Sequence, residues 1–410
     1  MKILVFGHWL EVGGTQVNAI ELSAALRDAH GHDVVYFATP GPMLALVEEK
    51  GLRFVPAPAA DFHPSPARMR VLRDVLRRER PDLIHVWDWW QCLDAYYVAH
   101  LLMRVPMVVT DMSMSLSRLL PKAVPTSFGT PELRDLAKAR GHRRAEVVLP
   151  PVDVKQNAPG AVDPRPFRQR YGVEDGDILL VTVCRLSTWM KAESLRRTVE
   201  AVRTLGRELP LRFVIVGDGN ARLELQQLAD SANNELGRPA VVLAGALLDP
   251  RPAYAAADIV VGMGGSALRG MAFGKPVIIV GEQGFSAPLS PQTAESFHYK
   301  GMYGIGDGAP ANARLASDIR SLAERPRDLA ALGEFSRQFV RKHFELETVS
   351  AGLDAFLRAA AEERPQLRVA AADGLRTAAV WLKERRFIPG ARPLTNFLPF
   401  RRKDPSATVK

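Results

Sequence analysis

The first 110 residues alternate short apolar runs with stretches whose apolar residues recur every three or four positions. Residues 2–6, 33–37, 53–55, 83–87 and 107–109 have the length and composition of strands, whereas 17–29, 43–50, 67–78 and 93–103 carry the helical period. Strands that alternate with helices are βαβ units, and these build parallel sheets. The rhythm resumes near residue 175, with strands over 178–183, 212–216, 240–244, 258–261 and 277–280 and helices over 194–205 and 221–234. The pattern predicts the α/β class, with two Rossmann-like doubly wound domains. Pro150-Pro151 and Pro159-Gly160 interrupt the pattern with a weakly periodic stretch of the kind that makes hinges. The expected division is a first domain over 1–152, a second over 153–345, a crossover helix over 346–365 and a tail over 366–410. Ligands of open α/β sheets bind outside the carboxyl ends of the strands. Site residues are therefore sought just after strands, with the two domains facing across a ligand cleft.

Composition narrows the class. The chain has 410 residues, 47% hydrophobic and 24% charged, which suits a folded protein with sizeable cores. The apolar run 3–6 is too short for a signal peptide, and no segment offers about 18 uninterrupted apolar residues for a membrane span. Cys92 and Cys184 are too few for a disulfide framework, so the expected location is the cytoplasm. The net charge of +9 is unevenly placed. From Gln366 onward Arg368, Arg376, Lys383, Arg385, Arg386, Arg392, Arg401, Arg402, Lys403 and Lys410 face only Asp373, Glu384 and Asp404. Such a tail suits an anionic surface rather than nucleic acid. Residues 68–80 add Arg68, Arg70, Arg73, Arg77, Arg78 and Arg80 among aliphatics, and the tail adds Trp381, Phe387, Phe397 and Phe400. One reading is peripheral attachment to the inner face of the plasma membrane; the other is a solvated Arg-rich helix and a tail packed on its own domains. Pro389, Pro393 and Pro399 rule out one continuous amphipathic helix there.

Several strand ends carry candidate chemistry. Gly13 and Gly14 lie between the first strand and a helix, where bare backbone lets an anion approach the helix N-terminus; a tight turn without a ligand fits equally well. Gln16 and Asn18 on the next turn are hydroxyl-binding candidates. Arg185 and Lys191 flank a loop after the strand 178–183. Two fixed cations there suit a diphosphate leaving group, whose charge grows as it departs. His85, Asp88 and Asp111 are polar groups at strand ends, open to structural or helix-capping roles as well as to catalysis. Trp87, Trp89, Met112 and Met114 make the same region aromatic and thioether-rich. They serve as core, or as walls for a hydrophobic or ring-shaped acceptor.

The succession Arg185 to Lys191, Phe213-Val214-Ile215-Val216-Gly217-Asp218-Gly219, Val241-Val242-Leu243-Ala244-Gly245 and Ala257-Asp258-Ile259-Val260-Val261 resembles the C-terminal domain of family 4 retaining glycosyltransferases. The likeness extends over roughly residues 1–360 and includes Gly13-Gly14 and Pro81-Asp82-Leu83-Ile84-His85. It implies the GT-B fold. The implied reaction moves a sugar from a nucleotide diphosphate-sugar to an acceptor, small or lipid-linked, with retention and without a metal or other cofactor. UDP is the first expectation for the nucleotide and GDP the second. Gly217 and Gly245 join the donor candidates on this ground. The segment from Gly262 to Val277 departs from the family's E-x7-E pattern. Arg269 stands at the second glutamate, and Gly264-Gly265-Ser266 replace the loop that carries the first. Backbone amides of Gly264, Gly265 and Ser266, the Arg269 cation, and Glu282 after the strand 277–280 are the substitutes proposed for donor contacts. Trp87 and Met112 stand where family members often have histidines. A sugar-nucleotide epimerase of the same fold, or an inactive nucleotide-binding homologue, are the alternatives.

Overall fold

The computed structural model describes residues 1–308, 311–363 and 366–385. It divides into two compact units, Met1–Val148 with the chain from Ser350 onward, and Leu149–Val349.

In the first unit β1 (Lys2–Phe6), β2 (Asp33–Ala38), β3 (Arg53–Pro56), β4 (Leu83–Trp87), β5 (Met107–Asp111), β6 (Thr126–Phe128) and β7 (Ala145–Val147) form one sheet in the order β3-β2-β1-β4-β5-β6-β7. Every pairing is parallel. β4 and β5 are buried at each position, as strands covered on both faces must be, which is why they read as mostly apolar runs. The order reverses between β1 and β4, so the switch-point crevice lies beside the residues that follow these two strands.

The second unit holds β8 (Ile178–Val183), β9 (Leu211–Val216), β10 (Val241–Gly245), β11 (Ile259–Gly262), β12 (Val277–Val280) and β13 (Ser286–Pro288), in the order β10-β9-β8-β11-β12-β13. The five strands through β12 are parallel; β13 closes the edge antiparallel to β12. The helix Ala192–Leu205 covers one face with Leu195, Val199, Val202 and Leu205, all buried. The helix Arg222–Leu236 ends on Gly237, whose φ of 67° is left-handed and suits glycine as a C-cap.

The chain leaves the first unit four residues before the expected boundary. Val152 donates its N–H to Phe344 O (2.7 Å), accepts from Leu346 N (3.0 Å) and packs with Val340 and Phe344, so it belongs to the second core. The chain returns at Ser350 rather than at 346. The expected tail is also different over its first half. Leu367–Arg385 is a helix docked on the first unit, in which Tyr96 and Tyr97 hydroxyls donate to Ala370 O (2.8 Å) and Gly374 O (3.0 Å). Asp373 accepts from Lys122 N (2.7 Å) and Ala123 N (2.9 Å) and pairs with Arg376, while Trp381 Nε1 donates to His63 O (2.6 Å). The remaining tail residues, including Arg386, Phe387, Arg392, Phe397, Phe400, Arg401, Arg402, Lys403 and Lys410, lie outside the described residues.

The Arg-rich helix is Pro66–Glu79, and it does not present all its cations. Arg68 is buried, donating to Thr39 Oγ1 (2.8 Å) and Pro58 O (2.9 Å) near the buried Asp94. Arg73 and Arg78 pair with neighbouring carboxylates on their own helix.

Candidate active site

Two groups of polar residues gather at strand carboxyl ends, one in each unit. In the first unit Asp88 follows β4 directly, with a φ of 60° that few non-glycine residues adopt, and its N–H is held by Thr110 O (2.8 Å). Its carboxylate accepts from Met112 N (3.0 Å) and from the Thr15 hydroxyl at the start of the helix Gly14–Asp28. Asp111 ends β5 and accepts Ser113 N through Oδ1 (3.0 Å), while its buried Oδ2 has no partner among the described residues. Burial pushes the Asp88 carboxyl up to about 6, against the hydrogen bonds that favour its charged form. Burial, and then the charge of Asp88, push Asp111 up to about 7. Two carboxyl groups in one low-dielectric pocket cannot both ionise easily, so near neutral pH the pair retains a proton. Tyr36 on β2 belongs to the same cluster. Its buried hydroxyl lacks a partner among the described residues, and burial together with the charge of Asp88 drives its pKa upward.

The other first-domain expectations divide. Gly14 opens onto free space at the helix start, and Asn18 is half-buried one turn on. Gln16 spends its amide on the preceding loop, donating to Trp9 O (3.0 Å) near His8 Nδ1, and Gly13 leaves the room that side chain needs. His85 and Trp87 are fully enclosed: His85 Nε2 meets Thr110 Oγ1 at 2.7 Å, burial lowers its pKa to about 3, and Trp87 has no accessible surface. Their side chains offer nothing for an acceptor to touch. Trp89 stacks on Trp90 (4.3 Å, 22°) and packs against the core, and Met112 is half-buried, its backbone holding Asp88.

In the second unit Lys191 sits at the start of the helix Ala192–Leu205. Together with Thr182, Cys184, Ser194, Gly262, Met263 and Ser266 it lines a narrow pocket over the ends of β8 and β11. Burial lowers the Lys191 ammonium pKa; Cys184 and Glu282 oppose that shift, and Arg185 adds to it. No ion pair holds Lys191 among the described residues, so a cation stands over the pocket uncommitted. Arg185 is exposed on the same loop. Glu282 follows β12 and accepts a short hydrogen bond from the Tyr303 hydroxyl. Its loop is pinned by Glu193, which accepts Gln283 N (3.0 Å) and Gly284 N (2.8 Å).

Gly264 caps the helix Gly265–Ala272 with φ 56° and ψ −134°, a conformation reserved for glycine. Its own amide is engaged by Met302 O (2.7 Å), which leaves the Gly265 and Ser266 amides of the first turn for an anion. Ser266 Oγ accepts from Tyr254 OH (3.2 Å), and Arg269 lies one turn along, its Nη1 3.3 Å from where a Cβ on Gly265 would stand. Gly217 and Gly245 have another reason to be glycine. A Cβ on Gly217 would fall 1.8 Å from Cys184 O, and Gly217 N donates to Gly245 O (2.8 Å), so these residues let the 184–191 loop lie against β9. Thr15, Tyr36 and Tyr303 escaped sequence reasoning. Only Thr15, two residues from Gly13 at a helix start, carried a local signal. Among the described residues no group of three or more His, Cys, Asp or Glu side chains could hold a metal ion.

Two doubly wound parallel sheets, each with a polar cluster beyond its strand ends, define the GT-B fold of glycosyltransferases. Solved structures bear this out: Anabaena HepE in complex with UDP is 17% identical, with a TM-score of 0.69 over 88% of this chain and 100% of its own. A glycosyltransferase from Rickettsia africae is 14% identical (TM-score 0.70, covering 88% and 99%), and WaaG, involved in lipopolysaccharide biosynthesis, is 15% identical (0.61, 87% and 99%). Residues 12–151 match the family described as Glycosyltransferase Family 4, and residues 177–294 match Glycosyl transferases group 1. No curated protein matches in sequence. Residues 12–151 and 177–294 are thus glycosyltransferase domains, carried on the GT-B fold.

Proposed function

We propose that this enzyme transfers a sugar, with retention and without a metal ion or other cofactor, from a uridine diphosphate-sugar to an acceptor with a hydrophobic or ring-shaped body. The observation that carries the reading is Lys191, a cation without an ion-pair partner among the described residues, over a narrow pocket at the ends of β8 and β11. As the bond between the anomeric carbon and the diphosphate oxygen breaks, its electron pair passes to the diphosphate. Lys191, Arg185 and the Gly265 and Ser266 amides stabilise that charge. The acceptor hydroxyl attacks on the same face, and its proton passes to a leaving phosphate oxygen. Glu282, oriented by Tyr303, receives ribose or sugar hydroxyls. In the first domain the Asp88 and Asp111 pair receives the acceptor hydroxyl. UDP as the nucleotide is favoured by the UDP and UDP-glucose complexes of Anabaena HepE. The enzyme works at the inner face of an anionic membrane, on a lipid-linked acceptor.

A thermal-shift panel tests the donor assignment: UDP raises the melting temperature more than GDP, ADP or CDP, by mass action on the folded state. Equal shifts from all four, or none, overturn it. The same assay and a transfer assay with and without chelator test metal independence. Arg269→Glu restores the residue type that the family pattern has at this position. With a diphosphate at the Gly265 turn the new carboxylate repels it, and transfer falls at least tenfold. Higher activity in the variant would show that Arg269 is not a donor contact.

A further inference from the structure

The docked helix Leu367–Arg385 has two unlike faces. Ala370, Asp373, Gly374 and Thr377 are buried against the first domain, while Leu367, Arg368, Ala371, Ala372, Leu375, Ala379, Leu382 and Lys383 are exposed. Leu375 is 75% exposed and Leu382 52%. At 100° per residue the exposed set spans less than half the helix circumference, with leucines at 367, 375 and 382 along one stripe. No carboxylate lies in it: Asp373 is turned inward and Glu384 faces Arg118. The helix packs on the turn Tyr96–Leu102, where Leu102 is 69% exposed and the exposed Arg104 follows. Isolated exposed leucines are ordinary; a stripe of them along one helix, bordered by cations, is not.

We propose that this leucine stripe is the surface by which the first domain seats on an anionic lipid bilayer. The inference rests on the reading that the enzyme works at a membrane, and it identifies the face. Three features favour a bilayer over a protein partner. The exposed leucines run along the outer face of one helix, and none of them lines the cavity at its start, which is bounded by Gln366, Val369 and Ala370. The bordering residues Arg104, Arg368 and Lys383 are all cationic. The chain that continues from the helix adds Arg386, Arg392, Arg401, Arg402, Lys403 and Lys410 against Asp404 alone. An in-plane helix with leucines down and cations at the headgroup level is the arrangement that interfacial helices use. Each cation near an anionic surface contributes about 1 kcal/mol, so the charge draws the protein in and the leucines hold it.

Co-sedimentation of the full chain with vesicles tests this. The parent protein pellets with phosphatidylglycerol-containing vesicles at low salt, releases at high salt, and stays in the supernatant with phosphatidylcholine alone. The double variant L375E/L382E loses at least tenfold in partitioning, yet keeps the parent's melting temperature and UDP-induced shift, because both side chains are exposed. A fluorophore sensitive to polarity, attached at L375C in a background whose own Cys92 and Cys184 are replaced by serine, shifts to the blue on binding. If the parent protein stays in the supernatant with anionic vesicles at low salt, both the face and the membrane reading are overturned. If it pellets and L375E/L382E pellets equally well, this face is overturned and the membrane reading stands. The UDP shift is independent of lipid, so neither result touches the assignment of the donor site.

Discussion

Replacing Lys191 by methionine reduces sugar transfer by about 10²–10³, the usual cost of losing one contact to transition-state charge, without lowering the melting temperature. The two halves of this expectation follow from the same observation. The ammonium group is desolvated enough for burial to lower its pKa, and no ion pair among the described residues compensates it. Glu282 contributes at a distance, its carboxylate already engaged by the Tyr303 hydroxyl. A cation in that position costs the folded protein stability, so an apolar side chain of similar length leaves the fold at least as stable. On the proposed reading, what this position offers in return is a charge ready for the leaving diphosphate, needing no reorganisation as the bond breaks. Lys191→Arg retains part of the activity, because the charge survives while its shape changes. Turnover near that of the parent in Lys191→Met would remove the central claim about the donor site, and a large drop in melting temperature would show that Lys191 is structural. Measuring kcat and UDP affinity separately sharpens the result, since a contact that strengthens in the transition state lowers kcat more than it weakens UDP binding.

The buried strands and strand-end charges were legible in the sequence because each depends on a local pattern. β4 and β5 are five-residue strands of mostly apolar residues, Asp88 and Asp111 stand just after or at the end of them, and Glu282 stands two residues beyond β12. β6, β7 and β13 are three residues long, shorter than any periodicity can register. The partners of the site residues were hidden for a different reason. Tyr36 feels the charge of Asp88 across the sheet order and Tyr303 hydrogen-bonds Glu282 from 21 residues away, so neither relation leaves a trace in spacing. The resemblance alone singles out Gly217 as a donor candidate, and the structure adds a packing reason for glycine there, since the carbonyl of Cys184 takes the space a Cβ would need. The helix Leu367–Arg385 escaped because its docking relies on tyrosine hydroxyls, Asp373 and Trp381 rather than on a strong apolar stripe facing inward. Its most regular leucines face outward.

Asp111→Asn separates the cost of the carboxylate pair from its use. Both carboxyl groups titrate higher in the folded chain, at about 6 and about 7, than the value near 3.9 of an unfolded aspartate. The folded state therefore binds protons more tightly than the unfolded state. The contribution of the pair to stability is fully present below about pH 4 and is lost as pH rises through 6 and 7. Asparagine at 111 cannot ionise and also removes the charge that opposes ionisation of Asp88. The difference in melting temperature between Asp111→Asn and the parent thus moves in favour of the variant as pH is raised from 4 to 8, and levels off above. Catalysis moves the other way. If an ionised member of the pair holds the acceptor hydroxyl in place while its proton leaves for the diphosphate, the variant loses about 10² in transfer, the cost of misplacing a reacting group. In the parent, kcat/KM falls as pH drops below about 6 and the pair takes up its second proton. UDP binding, which involves the other domain, stays unchanged in the variant. A stability difference that does not vary with pH would mean that the two carboxyl groups do not share a proton. Unchanged transfer with the stability shift intact would leave the pair as a structural feature of the strand ends and move the acceptor site elsewhere. Asp88 serves as the control: its φ of 60° is tolerated by asparagine far better than by alanine, so Asp88→Asn reports on charge where Asp88→Ala also reports on backbone strain.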